Sequence, residues 1–89
     1  MTAARGWRVE FATRAARDAR RLDPPVRRRI YDALDKLTSA QPSGDVIKLT
    51  GREEWRLRVG DWRVRFDRDD EAQAIVVLRV LPRGRAYRE

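Results

Sequence analysis

The sequence predicts an α+β fold in the order β-α-α-β-β-β-β, with an N-terminal strand and a helical hairpin packed on a mainly antiparallel sheet. Three observations predict it. Apolar and charged residues alternate over Trp7–Phe11, the period turns helical as far as Leu37, and it returns to two after Val46. Eighty-nine residues with 42% apolar content suit one small core. No repeat, linker or low-complexity stretch divides the chain, so residues 1–89 read as a single domain.

In the first strand Trp7, Val9 and Phe11 share a face opposite Arg8 and Glu10. Ala12, Ala15, Ala16, Ala19 and Leu22 then recur at helical spacing, with arginines and Asp18 on the other side. Such a small-residue stripe allows a close approach to a neighbouring element. Asp23-Pro24-Pro25 ends this helix and starts the next, because Asp is a favoured N-cap and the N–H that proline lacks has no helical partner in the first turn. Val26, Ile30, Ala33, Leu34 and Leu37 form the second stripe, which stops near Ser39 before the breakers Gln41-Pro42-Ser43-Gly44. Ile47 and Leu49 alternate with Lys48 in a strand that gives way to a loop at Thr50-Gly51. Strands near 55–59 and 62–66 are joined by the two-residue hairpin turn Gly60-Asp61, and a second turn falls at Arg68–Glu71. The last strand, Ala74–Leu81, is nearly continuous in apolar residues, as a covered central strand should be.

Composition narrows the chemistry. The net charge of +7 rests on nineteen arginines and only Lys36 and Lys48, and it favours a polyanionic partner. Without cysteine there is no disulfide, thiolate metal site or thiol nucleophile. Without histidine the usual near-neutral acid/base is missing, which excludes a ribonuclease of the histidine-pair type. The carboxylates are scattered or confined to the 69–71 turn, so neither a metal nor another cofactor is expected. No apolar run approaches the roughly 20 residues of a membrane span, and no signal core follows Arg5, so the expected location is cytoplasmic.

Nine of the nineteen arginines lie from Trp55 onward. Strand alternation puts Trp55, Leu57 and Val59 on one face with Trp62, Val64 and Phe66, and puts Arg56 and Arg58 on the other with Arg63 and Arg65. Two adjacent strands thus build a guanidinium surface backed by an apolar core. Each guanidinium offers a planar fork of donors to two phosphate oxygens.

The element order, with Val46-Ile-Lys-Leu-Thr-Gly51, Trp55-Arg-Leu-Arg-Val-Gly-Asp-Trp-Arg-Val-Arg65 and Val77-Leu-Arg-Val-Leu-Pro-Arg-Gly-Arg-Ala-Tyr-Arg88, resembles the RelE/ParE superfamily of bacterial toxin–antitoxin toxins. The resemblance covers essentially the whole chain in element order. Its RelE branch implies a ribosome-dependent endoribonuclease that cleaves mRNA in the A site, without metal, by attack of a ribose 2′-hydroxyl on the adjacent phosphate. It implies as partners a cognate antitoxin with an acidic or amphipathic segment, in a hetero-oligomer, together with the ribosome and mRNA. The catalytic positions it implies are Arg56, Arg58, Arg63, Arg83 and Tyr87, the last through a shorter tail than is usual in the family. Lys48, Arg65, Arg79 and Arg85 complete the expected RNA- and phosphate-binding set.

Related toxins often carry lysine where this chain has Arg56 and Arg58. Lysine can be deprotonated, whereas arginine is effectively always charged, so the cluster stabilises anionic charge but has no evident base. Glu53, Glu54 and Asp61 are nearby carboxylates. Arg65 is expected to be exposed or to contact a phosphate without catalysing anything, and Arg79 either faces the RNA groove or pairs with an acidic residue. Arg27–Arg29 read as a solvated helix face, Tyr31 as a residue packed on the helix surface, and Trp7, Trp55 and Trp62 as core. Two alternatives stand beside the nuclease: a ParE-like gyrase inhibitor without nuclease activity, and a degenerate member that only binds its antitoxin.

Overall fold

The computed structural model describes residues 7–49, 51 and 54–86, the side chain of Ala86 excepted. Its strands are β1 (Arg8–Phe11), β2 (Asp45–Lys48), β3 (Glu54–Val59), β4 (Trp62–Asp69) and β5 (Ala74–Pro82). Its helices are α1 (Thr13–Arg20), α2 (Pro24–Leu37) and α3 (Arg83–Ala86). The expected elements occur in the expected order, and α3 is an addition, because the basic tail winds into a single helical turn. The sheet runs β1-β5-β4-β3-β2, with β1 parallel to β5 and every other pair antiparallel. A parallel pair needs a long crossover, and here the helices and the β2–β4 meander supply it.

The β3–β4 hairpin turns where the sequence expects it. Gly60 adopts φ 57°, the left-handed conformation that a two-residue loop of this kind requires. Beyond Phe66, however, β4 continues to Asp69, because Asp67, Arg68 and Asp69 pair with Val76, Ile75 and Ala74. Ladder pairing has overridden a run of charged residues, and the second turn moves to residues 70–73. There the Asp69 carboxylate accepts the Ala72 N–H at 3.0 Å.

One face of the sheet carries the core. Leu57, Val64, Phe66, Ile75, Val77 and Val80 pack against Ala15 of α1, Leu22, and Ile30 and Leu34 of α2. Trp7, Trp55 and Trp62 are half-buried against this cluster, and Trp55 stacks on Phe66 with ring centroids 6.4 Å apart. Asp23 occupies the N-cap position of α2 in extended conformation, but its side chain makes no capping hydrogen bond.

The alanine stripe of α1 has the use its small size suggests. β1 pairs with β5 only as far as Val77, which leaves the later half of that β5 edge open. α1 takes over there: the Ala12 N–H donates to the Val77 carbonyl at 2.9 Å, while Ala15 and Ala19 are buried beneath the helix. A register shift between Arg65 and Phe66 makes Leu78 an extra residue of β5. The Val80 N–H consequently points away from β4 and finds the Asp18 carboxylate of α1 at 2.9 Å.

Candidate nucleic-acid interface on the arginine face

Register across the sheet arranges the other face in rows. One row reads Ile47, Arg56, Arg65, Arg79, and the next reads Asp45, Arg58, Arg63, Leu81. Directly opposed like charges destabilise a strand pair, so each guanidinium in these rows needs compensation. Much of the geometry of the site consists of how that compensation is arranged.

At the β5 end, carboxylates neutralise the arginines. Arg65 forms a two-pronged pair with Glu54 of β3, with Nη2 2.9 Å from Oε1, and both side chains are only 12% exposed. Arg79 donates to Asp18 through Nε at 2.8 Å and Nη2 at 3.3 Å. Burial alone would raise the Asp18 carboxyl. The hydrogen bonds from Arg79 and the Val80 N–H, with the charges of Arg79 and Arg14, outweigh it and hold the group below its ordinary 3.8. Arg65 is therefore not exposed, contrary to expectation, and Arg79 follows the ion-pair alternative.

At the β2 end a cleft of about 210 Å³ opens, lined by Asp45, Ile47, Leu49, Arg56, Arg58 and Arg63. The structure thus brings together three of the expected positions. Arg56 and Arg63 are each 7% exposed, so they form the floor of the cleft rather than a solvated surface. Arg58 is exposed at the rim and ion-paired with Asp45, which β2 sets directly across from it. Arg63 folds back on its own hairpin, its Nη1 donating at 2.9 Å to the carbonyls of both Gly60 and Trp62. The same turn holds α3, since the Arg83 N–H donates to the Asp61 carbonyl at 2.9 Å. Arg83 is exposed and begins α3 beside that turn, and Arg85 is exposed on the same short helix.

Lys48 is a correction. It lies on the opposite face of β2, its Nζ 5.5 Å from the centre of the Trp55 ring, and cannot share a phosphate with Arg56. Arg68 joins it there, 5.3 Å from the Trp7 ring and 5.7 Å from that of Trp55. Tyr87 lies outside the described residues. Sequence reasoning missed Asp18, Asp45 and the true partner of Glu54. For Asp45 alternation pointed the other way, since it groups Asp45 with Ile47 and Leu49 opposite Lys48, and only the pairing of β2 with β3 puts it beside Arg58.

The sequence profile of the ParE toxin of the type II toxin–antitoxin system parDE matches residues 9–87. No curated protein sequence matches the chain. Among solved structures, the archaeal RelE–RelB complex of Pyrococcus horikoshii OT3 is similar at TM-score 0.74 and 29% identity, over 90% of this chain and 98% of that one. The RelBE2 toxin–antitoxin complex of Mycobacterium tuberculosis is similar at TM-score 0.71 and 26% identity, over 88% and 92% of the two chains. The isolated RelE toxin of E. coli, at TM-score 0.71 and 21% identity over 85% and 83%, shares the fold.

Proposed function

Because the chain belongs to the RelE/ParE family of type II toxin–antitoxin toxins, we propose that it is a ribosome-dependent endoribonuclease that cuts mRNA in the A site. The observation that carries this reading is the cleft in which Arg56, Arg58 and Arg63 converge, with Arg83 at the adjoining turn. In-line attack by a 2′-hydroxyl moves negative charge onto a five-coordinate phosphorus. Donors already aimed at the site of developing charge commonly make the largest contribution to such a step. Arg56 and Arg58 would hold the scissile phosphate, and Arg63, fixed by its own turn, would need no reorganisation as charge grows. Arg83 would screen the departing 5′-oxygen, and Tyr87 would stack on a base. A cognate antitoxin presenting acidic side chains would cover the same cleft, gaining association rate and specificity from it.

Primer extension on mRNA in a reconstituted translation reaction should show cuts within codons at the A site. Arg83→Ala should relieve growth arrest while leaving the thermal melt unchanged, because the contact that holds α3 at the turn is made by its backbone. Arg63→Ala is the less clean variant, since it also removes two hydrogen bonds from the hairpin. The match to the ParE profile favours a second reading, a gyrase inhibitor. Intact mRNA together with gyrase-trapped DNA breaks would establish that reading in place of the first.

A further inference from the structure

Building on the nuclease reading, we propose that Asp45 is the catalytic residue that takes the proton from the attacking 2′-hydroxyl. Three arginines in the cleft can bind and stabilise a phosphate, but a guanidinium does not give up its proton to become a base. Glu53 lies outside the described residues, and the other described groups considered for the task are engaged or misplaced. Lys48 stands over Trp55 on the far face of the sheet. Glu54 is gripped by Arg65 at both oxygens, away from the cleft lining. Asp61 sits in the hairpin turn, outside the cleft lining. Among the described residues lining the cleft, Asp45 alone carries a side chain with a basic oxygen.

Its placement suits the task. β2 sets Asp45 directly across from Arg58, and Arg58 lies across from Arg63, so a carboxylate and two guanidiniums form one continuous row. Arg58 orients the Asp45 carboxylate by ion pairing while leaving it 45% exposed to an incoming ribose. A phosphate bound by Arg56, Arg58 and Arg63 would bring its own 2′-hydroxyl to the β2 side of the cleft. The charged groups facing Asp45 are Arg56 and Arg58 of β3 and Arg63 of β4, while its own strand contributes only Ile47 to the cleft beside it.

In the step itself the O2′–H bond breaks and its proton passes to the carboxylate. The O2′–P bond forms as the P–O5′ bond breaks, and the 5′-oxygen takes a proton from water. The products are a 2′,3′-cyclic phosphate and a 5′-hydroxyl, and Asp45 then returns its proton to solvent.

Single-turnover cleavage of ribosome-bound mRNA by Asp45→Asn, Asp45→Glu and the wild type, followed across acidic to neutral pH, tests the assignment. Asp45→Asn should cut about a hundredfold more slowly at saturating toxin, as expected for loss of a general base, with little change in half-saturation. The acidic limb of the wild-type pH–rate profile should vanish in Asp45→Asn and persist in Asp45→Glu. Because the Asp45–Arg58 pair is solvent-exposed, the melting temperature should hardly move. An Asn variant with the wild-type rate and pH profile overturns the assignment alone. So does a loss seen only in half-saturation, which would make Asp45 an orienting partner of Arg58. Absence of any cut by the wild type overturns the nuclease reading and this assignment with it.

Discussion

Asp18 serves two elements through one carboxylate. It satisfies an edge amide of β5 and neutralises Arg79, both in a place where water has limited access. Its removal leaves a largely buried guanidinium and an orphaned N–H, so Asp18→Ala should cost about 2–3 kcal/mol in chemical denaturation. The pH dependence has a definite sign. The folded-state pKa is depressed, so the stabilisation is present above the ordinary aspartate value of 3.8 and is lost as pH falls through the lower folded value. The gap between wild type and Asp18→Ala should therefore be full at pH 6 and close under acid, and a constant gap down to pH 2 would contradict the clamp. At this scale the sequence was legible only in part. Alternation correctly set Arg56, Arg58, Arg63 and Arg65 on one face, but a period of two says nothing about which carboxylate reaches which arginine. Glu54 meets Arg65 across a strand pair, and Asp18 meets Arg79 only because β1 stops short.

Elements were read more securely than their ends. The helical stripes and the Gly60-Asp61 hairpin carry their signals in consecutive residues, and they fold as those residues dictate. The extension of β4 to Asp69 and the winding of α3 depend on partners far along the chain, and local periodicity does not see them. The hairpin turn is the element on which the site most depends, since it holds Arg63 by two carbonyls and α3 by a third. Gly60 has open space where a side chain would go, so the cost of Gly60→Ala is that of its φ alone. A loss of about 1–2 kcal/mol is expected, with Gly60→Asn close to neutral because Asn tolerates the left-handed region. Equal losses for Ala and Asn would mean that something other than backbone conformation is at stake.

For the whole molecule, the net charge of +7 overstates what an RNA would meet. That figure already cancels the Arg58–Asp45, Arg65–Glu54 and Arg79–Asp18 pairs. Among the described residues, however, the only arginines lining the cleft are Arg56, Arg58 and Arg63, with Arg83 at the adjoining turn, so most of the excess lies away from a bound phosphate. If every net charge engaged a single-stranded RNA, the log–log salt slope would be about −5; three or four cleft contacts give about −2 to −3. Anisotropy of a short RNA with 2′-deoxy linkages, titrated against NaCl, should return the shallower value. The steeper one would point to a diffuse basic surface that includes Arg27–Arg29.

The position of β5 has a consequence in time. It lies between β1 and β4, yet it follows every other strand, and Arg8 must wait for Ala74 before it has a partner. Closing so long a loop is slow, because its entropy is lost before the contacts that offset it exist. Until then β4 has an open edge, Asp18 has no amide to cap, and Arg83 has no turn to lean on. A refolding chain should thus pass its slowest interval harmless as a toxin and at its most prone to aggregate.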